Sequence, residues 1–342
     1  MGNSLDMSLV PERFRAVLVA QPQVSPARLI DATGGDLGEG DVLIKVDYSS
    51  LNYKDGLALT GTAPVVRSFP MIGGIDLAGR VIASADDRLH PGAEVVVTGG
   101  GLGEVHPGGF STYARVPGDW CVGIPASLST RSAAALGTAG LTAMLSLMAL
   151  ERNRSCPDDL GDLPLLVTGA SGGVGSLAVL LGARSGYRVI ASTGRLQERE
   201  FLVALGASEV IDRGEVGEIA STALAKVRFG AAIDSVGGST LANILRSTRP
   251  GGTVAACGLA GGSDLELTVH PFILRGVTLA GINSVHPYPG DRESAWRRIA
   301  EIIRDDDLSS IVSVIALDEV IEAAPRILRG EIRGRTVVRV RP

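Results

Sequence analysis

Residues Gly169-Ala170-Ser171-Gly172-Gly173-Val174-Gly175 join an apolar run, Leu163 to Thr168, to a helix-like stretch, Ser176 to Ser185. A strand that ends on glycines and turns into a helix leaves backbone N–H groups unbonded at the positive end of the helix, and a pyrophosphate binds there. Gly169 permits the turn, Gly172 and Gly173 let the backbone approach phosphate, and Gly175 lets the helix pack on the strand. The second strand, Tyr187 to Ser192, ends in Thr193-Gly194-Arg195 with no acidic residue. An NAD site wants an Asp or Glu about 20 residues further on, to accept from the ribose 2′-hydroxyl. Hydroxyls and a guanidinium stand there instead, and they suit the 2′-phosphate of NADPH.

Around this turn the chain alternates. Apolar strand patterns at Leu163–Thr168, Tyr187–Ser192, Glu209–Ile211, Ala231–Ser235, Thr253–Cys257 and Val277–Gly281 are separated by helical segments. That alternation predicts an α/β unit with a doubly wound parallel sheet, helices on both faces and right-handed crossovers. Before it, Arg15–Ala20, Asp41–Ser49, Asp76–Ser84, Glu94–Thr98 and Gly109–Val116 read as short strands between turn signals, a β-rich barrel-like unit. Ser132–Gly137 and Thr142–Glu151 read as two buried helices. After a helix over Asp291–Arg304, a final strand at Thr336–Val340 is expected to pair back into the first unit.

With 342 residues the chain suffices for about two full cores. Its 45% apolar and 20% charged residues describe a packed globular protein. A net charge of −5 speaks against general nucleic-acid or anionic-membrane binding, both of which need a basic face. The first ten residues lack a secretory pattern, no uninterrupted apolar run of spanning length is seen, and a cytoplasmic location is expected. Cys121, Cys156 and Cys257, odd in number and far apart, read as reduced thiols serving as small core residues.

Several segments carry a family resemblance. Ser49-Ser50-Leu51-Asn52-Tyr53-Lys54-Asp55-Gly56, Phe69-Pro70-Met71-Ile72, Gly74-Ile75-Asp76, Gly137-Thr138-Ala139-Gly140-Leu141-Thr142-Ala143, Thr168 to Gly175, Ala255 to Gly262 and Pro271-Phe272-Ile273-Leu274-Arg275 together resemble the medium-chain dehydrogenase/reductase superfamily. More narrowly they resemble its zinc-independent, quinone oxidoreductase-like branch and the acrylyl-CoA reductases within it. The likeness covers about residues 14 to 340. It implies a GroES-like catalytic domain over 1–136 and 311–342, a Rossmann NADPH-binding domain over 137–310, and a homodimer.

Residue by residue, the resemblance assigns the pyrophosphate to Ser171, Gly172, Gly173 and Val174, and the 2′-phosphate to Thr193, Gly194 and Arg195. Further cofactor contacts are implied at Tyr53, Ser235 and Leu279. Asn52 and Tyr53 are the candidate catalytic residues, Tyr53 either supplying a proton or only packing against the nicotinamide, while Lys54 and Asp55 are read as a surface pair. Thr138 to Thr142 would open a helix towards the nicotinamide or simply start one. Zinc-dependent relatives carry Gly-His-Glu where this chain has Gly74-Ile75-Asp76, and no cysteine precedes residue 121, so no catalytic or four-thiolate zinc set is expected. Arg67, Arg275, Arg292 and Arg335 are candidate phosphate partners for a CoA arm. The implied activity is NADPH-dependent reduction of the carbon–carbon double bond of a short 2-enoyl-CoA, acrylyl-CoA to propionyl-CoA. An NADPH:quinone or enone reductase and a non-catalytic NADPH-binding redox sensor are the alternatives.

Overall fold

The computed structural model describes residues 5–21, 26–217 and 222–341. The chain divides into two compact units, Met1–Thr138 with Arg304–Pro342, and Ala139–Ile303.

The first unit opens with β1 (Phe14–Val19), β2 (Arg28–Ala32), β3 (Val42–Leu51), α1 (Tyr53–Thr60), β4 (Met71–Ile72), β5 (Asp76–Ser84), β6 (Glu94–Thr98), β7 (Tyr113–Val116) and β8 (Cys121–Gly123). Alternation along β3 explains why it is the hub. Val42, Ile44 and Val46 point into one core with Leu77, Val81, Val95 and Val97, while Leu43 points into a second with Phe14, Ala16 and Ile72. The expected strand Gly109–Val116 is shortened to Tyr113–Val116. Gly109 instead passes so close to Asp76 that its Cβ position is taken by the Asp76 carbonyl oxygen.

Next comes α2 (Thr130–Arg152), in which Gly137 has φ 44° and ψ −147° and breaks the helical run. The two helices expected here are present, meeting at this break, and the boundary between the units falls one residue beyond it. By length and composition α2 is apolar enough to cross a membrane, although Gly, Ser and Thr interrupt its apolar residues, as expected from the sequence. Its residues are almost all buried in the protein, as those of a helix apolar around its circumference should be.

The second unit contains α3 (Pro157–Leu160), β9 (Leu165–Val167), α4 (Gly173–Arg184), β10 (Val189–Thr193), α5 (Arg199–Ala204), β11 (Ala207–Asp212), α6 (Gly214–Gly217), β12 (Ala231–Asp234), α7 (Gly238–Ser247), β13 (Thr253–Ala256), α8 (His270–Arg275), β14 (Thr278–Gly281) and α9 (Asp291–Ile302). Its six strands form a parallel sheet in the order β11-β10-β9-β12-β13-β14. This is the doubly wound sheet expected from the alternating pattern. The strand order reverses between β9 and β12, and open sheets of this kind bind ligands beyond the strand ends at such a reversal.

The chain then returns to the first unit with β15 (Val312–Ala316), α10 (Val320–Leu328) and β16 (Arg335–Arg339). β16 pairs antiparallel with β3, Thr336 facing Leu51, and β15 joins it in parallel. The closing strand therefore pairs back as its position in the sequence suggests. Ser129 N donates to Asp305 Oδ1 at 2.9 Å, which ties the charged turn after α9 to the first unit.

Candidate functional site

In the second unit, β9 stops at Val167 and the chain turns at Gly169, whose φ is +58°. A Cβ at Gly175 would strike the Gly169 carbonyl and lie 2.7 Å from Ala170 Cα, so only glycine lets α4 start this close to the strand. The first backbone bond of α4 runs from Ser176 N to Gly172 O. Among the described residues the N–H groups of Gly173, Val174 and Gly175 meet no acceptor, which leaves three donors at the positive end of the helix.

The end of β10 closes on this turn. Ser171 Oγ lies 2.9 Å from Thr193 Oγ1, and the Arg195 backbone N–H donates to Thr193 Oγ1 at 3.1 Å. The Arg195 side chain reaches back to Ser171, Nη2 donating to the carbonyl at 3.0 Å and to Oγ at 2.9 Å. Two segments separated by more than twenty residues thus form one polar cradle containing Ser171, Gly172, Gly173, Val174, Thr193, Gly194 and Arg195. The open N–H groups at the positive end of α4 make the cradle favour an anion.

A residue not singled out in the sequence joins them. Arg213 follows β11, its N–H donating to the Thr193 carbonyl at 2.9 Å. Its side chain lies over Gly194, where a Cβ would stand 2.8 Å from Cδ and 2.9 Å from Nε. Arg213 is exposed and has no ion pair among the described residues. The expected strand ended at Ile211, so nothing marked Arg213; the parallel pairing of Thr193 with Asp212 is what brings it alongside.

Ser235, at the end of β12, borders the same turn: its Oγ donates to the Thr168 carbonyl at 3.1 Å and sits 2.5 Å from the Cβ position of Gly169. Leu279 does not join the cradle. It lies on β14, three strands or about 14 Å from β9, and packs against the sheet core.

The first unit holds a different arrangement. Asn52 is the N-cap of α1 and Tyr53 its first residue, so Tyr53 projects from the helix start with 42% of its surface exposed. Asn52 is buried. Its Nδ2 donates to Asp76 Oδ2 at 2.9 Å and to Asp55 Oδ2 at 3.2 Å, and its Oδ1 accepts from Arg335 Nη1 at 3.1 Å. Both amide hydrogens and the carbonyl are therefore committed inside the protein.

The expected Lys54–Asp55 surface pair is absent. Lys54 pairs with Glu104 at 2.8 Å, and Asp55 faces inward, its Oδ2 accepting from Asn52 N at 2.8 Å and its Oδ1 from Ile75 N at 2.9 Å. Asp76 also accepts from Ser50 Oγ and Thr138 Oγ1, each at 2.6 Å, and from Thr138 N at 3.0 Å. Its Oδ2 occupies the Cβ position of Gly137, which accounts for glycine at the kink of α2. Thr138 follows the break at Gly137 and starts the second stretch of α2, its N–H and hydroxyl both held by Asp76, in line with the plain helix start weighed for it. Buried Arg335 donates to Ala135 O at 2.6 Å and Ser50 Oγ at 2.9 Å, 3.8 Å from Asp76. Two carboxylates share one guanidinium. Burial, and then the neighbouring charge of Asp76, push Asp55 up to about 7 despite its N–H donors.

Comparison with known proteins agrees with this architecture. Residues 38–126 match the alcohol dehydrogenase GroES-like domain, and residues 173–303 match the zinc-binding dehydrogenase family. The chain is 49% identical over 304 residues to the Escherichia coli protein named probable acrylyl-CoA reductase AcuI, covering 89% of this chain and 92% of that protein. It belongs to the medium-chain dehydrogenase/reductase superfamily, quinone oxidoreductase-like branch. Two solved structures superpose closely. The yhdH oxidoreductase of Salmonella enterica, in complex with NADP, gives a TM-score of 0.91 at 45% identity, covering 96% of this chain and 100% of that one. Bacillus subtilis yhfP, named a putative quinone oxidoreductase and solved with NAD bound, gives 0.90 at 42% identity over the same shares.

Within this superfamily the donor set bears on metal. Where zinc-dependent members carry Gly-His-Glu, Asp76 is saturated by donors, and no group of three His, Cys, Asp or Glu side chains gathers among the described residues. The three cysteines are free and half-buried, less enclosed than core residues, and burial pushes the Cys121 and Cys257 thiols up to about 12. Of the four candidate CoA arginines, Arg335 is internal, Arg275 donates to the carbonyls of Ala225, Arg246 and Thr248, and Arg292 donates to that of Val285. Arg67 alone of the four is exposed without a polar partner to its side chain among the described residues.

Proposed function

We propose that the chain reduces the carbon–carbon double bond of a short 2-enoyl-CoA, acrylyl-CoA to propionyl-CoA, with NADPH and without zinc. The observation that carries this reading is the 49% identity spanning 92% of the E. coli protein named probable acrylyl-CoA reductase. The cradle supports the cofactor. Three N–H donors at the start of α4, with Ser171 and the glycines beside them, fit a pyrophosphate, and Arg195 and Arg213 on either side of Gly194 fit a 2′-phosphate. Ser235 lies beside this site, and Leu279 on β14 is a further cofactor contact in this reading.

Bound NADPH supplies the hydride that goes to the β carbon; the α carbon takes a proton. Tyr53, 42% exposed at the start of α1, has a hydroxyl with no polar partner among the described residues. It donates that proton or holds the thioester oxygen while negative charge develops there. Asn52 acts at one remove, since its amide is spent on Asp55, Asp76 and Arg335. Arg67 is the cation left to meet a CoA phosphate.

The protein works in the cytoplasm as a homodimer in this reading. β14 is the end strand of its sheet, and Ile273 and Leu274 of α8 next to it are 70% and 62% exposed. An uncovered strand edge beside exposed apolar side chains is a surface for a second copy. Light scattering should give twice the chain mass, and Ile273→Glu with Leu274→Glu should give the monomer.

NADPH consumption with acrylyl-CoA, with a small quinone and with neither, at matched concentrations and with a chelator present, tests the function. Turnover with acrylyl-CoA that survives the chelator is expected. Turnover with the quinone alone would favour the second reading, which the B. subtilis relative supports, and binding without turnover would leave a sensor.

A further inference from the structure

Each hydrogen bond to the Asp55 carboxylate among the described residues comes from a nitrogen donor. Asn52 N and Nδ2 point at Oδ2 and Ile75 N points at Oδ1, and none of the three can accept a proton in return. Two of these donors belong to the N-cap of α1, and the third begins the segment leading into β5. The carboxylate therefore clamps the first turn of α1, the turn that carries Tyr53, to the adjacent chain. We propose that Asp55 is a positioning residue for the reduction, holding Asn52 and Tyr53 in place as a carboxylate and releasing that hold when it takes up a proton.

The charges around it make the clamp responsive. Asp76 on β5 is the neighbouring anion, and Arg335 on β16 is the cation that both carboxylates share. Lys54, next to Asp55 on α1, is turned to Glu104. α10 packs on this part of α1 at Gly56 through Ile327, Leu328 and the Ala324 carbonyl, which bring no charge. Desolvation and Asp76 favour the acid, and the three donors favour the carboxylate. The balance falls near neutral pH.

A protonated Asp55 keeps one good acceptor oxygen and turns a hydroxyl towards a donor. One N–H at the N-cap, or that of Ile75, then loses its partner in a buried site. The arrangement predicts turnover that falls on acidification while cofactor affinity, set in the other unit, does not.

The kinetic arm of the test rests on the reductase reading; the spectroscopic arm does not. In the native protein the amide resonances of Ile75 and Asn52 should shift together between about pH 5 and about pH 9, with a midpoint near 7. In kinetics with NADPH and acrylyl-CoA, kcat should show an acid limb at the same midpoint. Asp55→Asn, with one acceptor oxygen for the same donors, should lose the limb and lower kcat at alkaline pH by roughly 10- to 100-fold, with KM for NADPH little changed. Asp76→Asn removes the neighbouring charge and should move the limb to lower pH. Amides of Ile75 and Asn52 that do not titrate would overturn the proposal, as would an unchanged acid limb in Asp55→Asn. If the native protein does not turn over acrylyl-CoA, the reductase reading fails, and the amide titration decides the proposal by itself without any variant needing to fold.

Discussion

Arg195 and Arg335 hold opposite positions in the same chemistry. Arg195, half-buried at the end of β10, donates to neutral Ser171 oxygens and has glycine backbone beside it. Arg335, fully buried on β16, lies 3.8 Å from the Asp76 carboxylate with its donors taken by Ala135, Asn52 and Ser50. Open N–H groups at a helix start, with a guanidinium beside them, are arranged to receive an anion. A guanidinium held beside a buried carboxylate is arranged to keep other side chains still. The cradle keeps backbone donors open at the start of α4, and the network closes its polar groups on one another.

Tyr53→Phe probes the positioned end and should have the largest effect. It deletes one hydroxyl, keeps the ring, and should lower kcat by roughly 10²–10⁴-fold with NADPH affinity nearly unchanged. A loss below about tenfold in steady-state kinetics would mean that water delivers the proton and Tyr53 only packs.

Arg335→Met should separate the regions by stability. Removing the shared cation from a buried pair of carboxylates leaves charge uncompensated and should cost about 3–5 kcal/mol in denaturant unfolding. Arg195→Met, at a half-buried site with Ser171 as its partner, should cost far less.

The network should also couple stability to pH. Asp55 is raised in the folded state from its ordinary value of 3.8 to about 7, so it binds its proton more tightly folded than unfolded. Its contribution is full below about pH 4 and is lost as pH rises through about 7, by about 1.4 kcal/mol for each pH unit between those limits. The stability of the native protein relative to Asp55→Asn should fall across that window in paired unfolding titrations, and a flat difference would contradict the raised value.

Arg195→Ala probes the cradle and should weaken NADPH binding by roughly 10- to 150-fold, leaving NADH nearly unchanged. Arg213→Ala should do the same more weakly, about tenfold, because its exposed charge is partly screened. Equal losses for both cofactors in calorimetry would make these arginines supports of the loop.

Legibility in the sequence follows the range of the interactions. The turn from Gly169 to Gly175 is largely local: Gly169 adopts a positive φ and Gly172 and Gly175 meet the Gly169 carbonyl within six residues, so the cradle there can be read directly. Arg195 stands out because an expected acid is missing beside it. Arg213 does not, since its place over Gly194 comes from the parallel register of β10 and β11. Asp55 reads as a surface residue, wrongly, because the spacing Asn-Tyr-Lys-Asp fits an exposed helix start as well as a buried one.

The sequence by itself determined the alternating sheet unit, the β-rich unit, the glycine turn and the absence of an acid at the end of β10, because periodicity, glycine placement and residue type act within one element or its immediate neighbours. Only the tertiary structure decided that Asn52, Asp55, Asp76, Thr138 and Arg335, spread over 283 residues from Asn52 to Arg335, share one buried network. Burial makes those polar groups satisfy one another, and burial is a property of the packed chain that residue type alone leaves open.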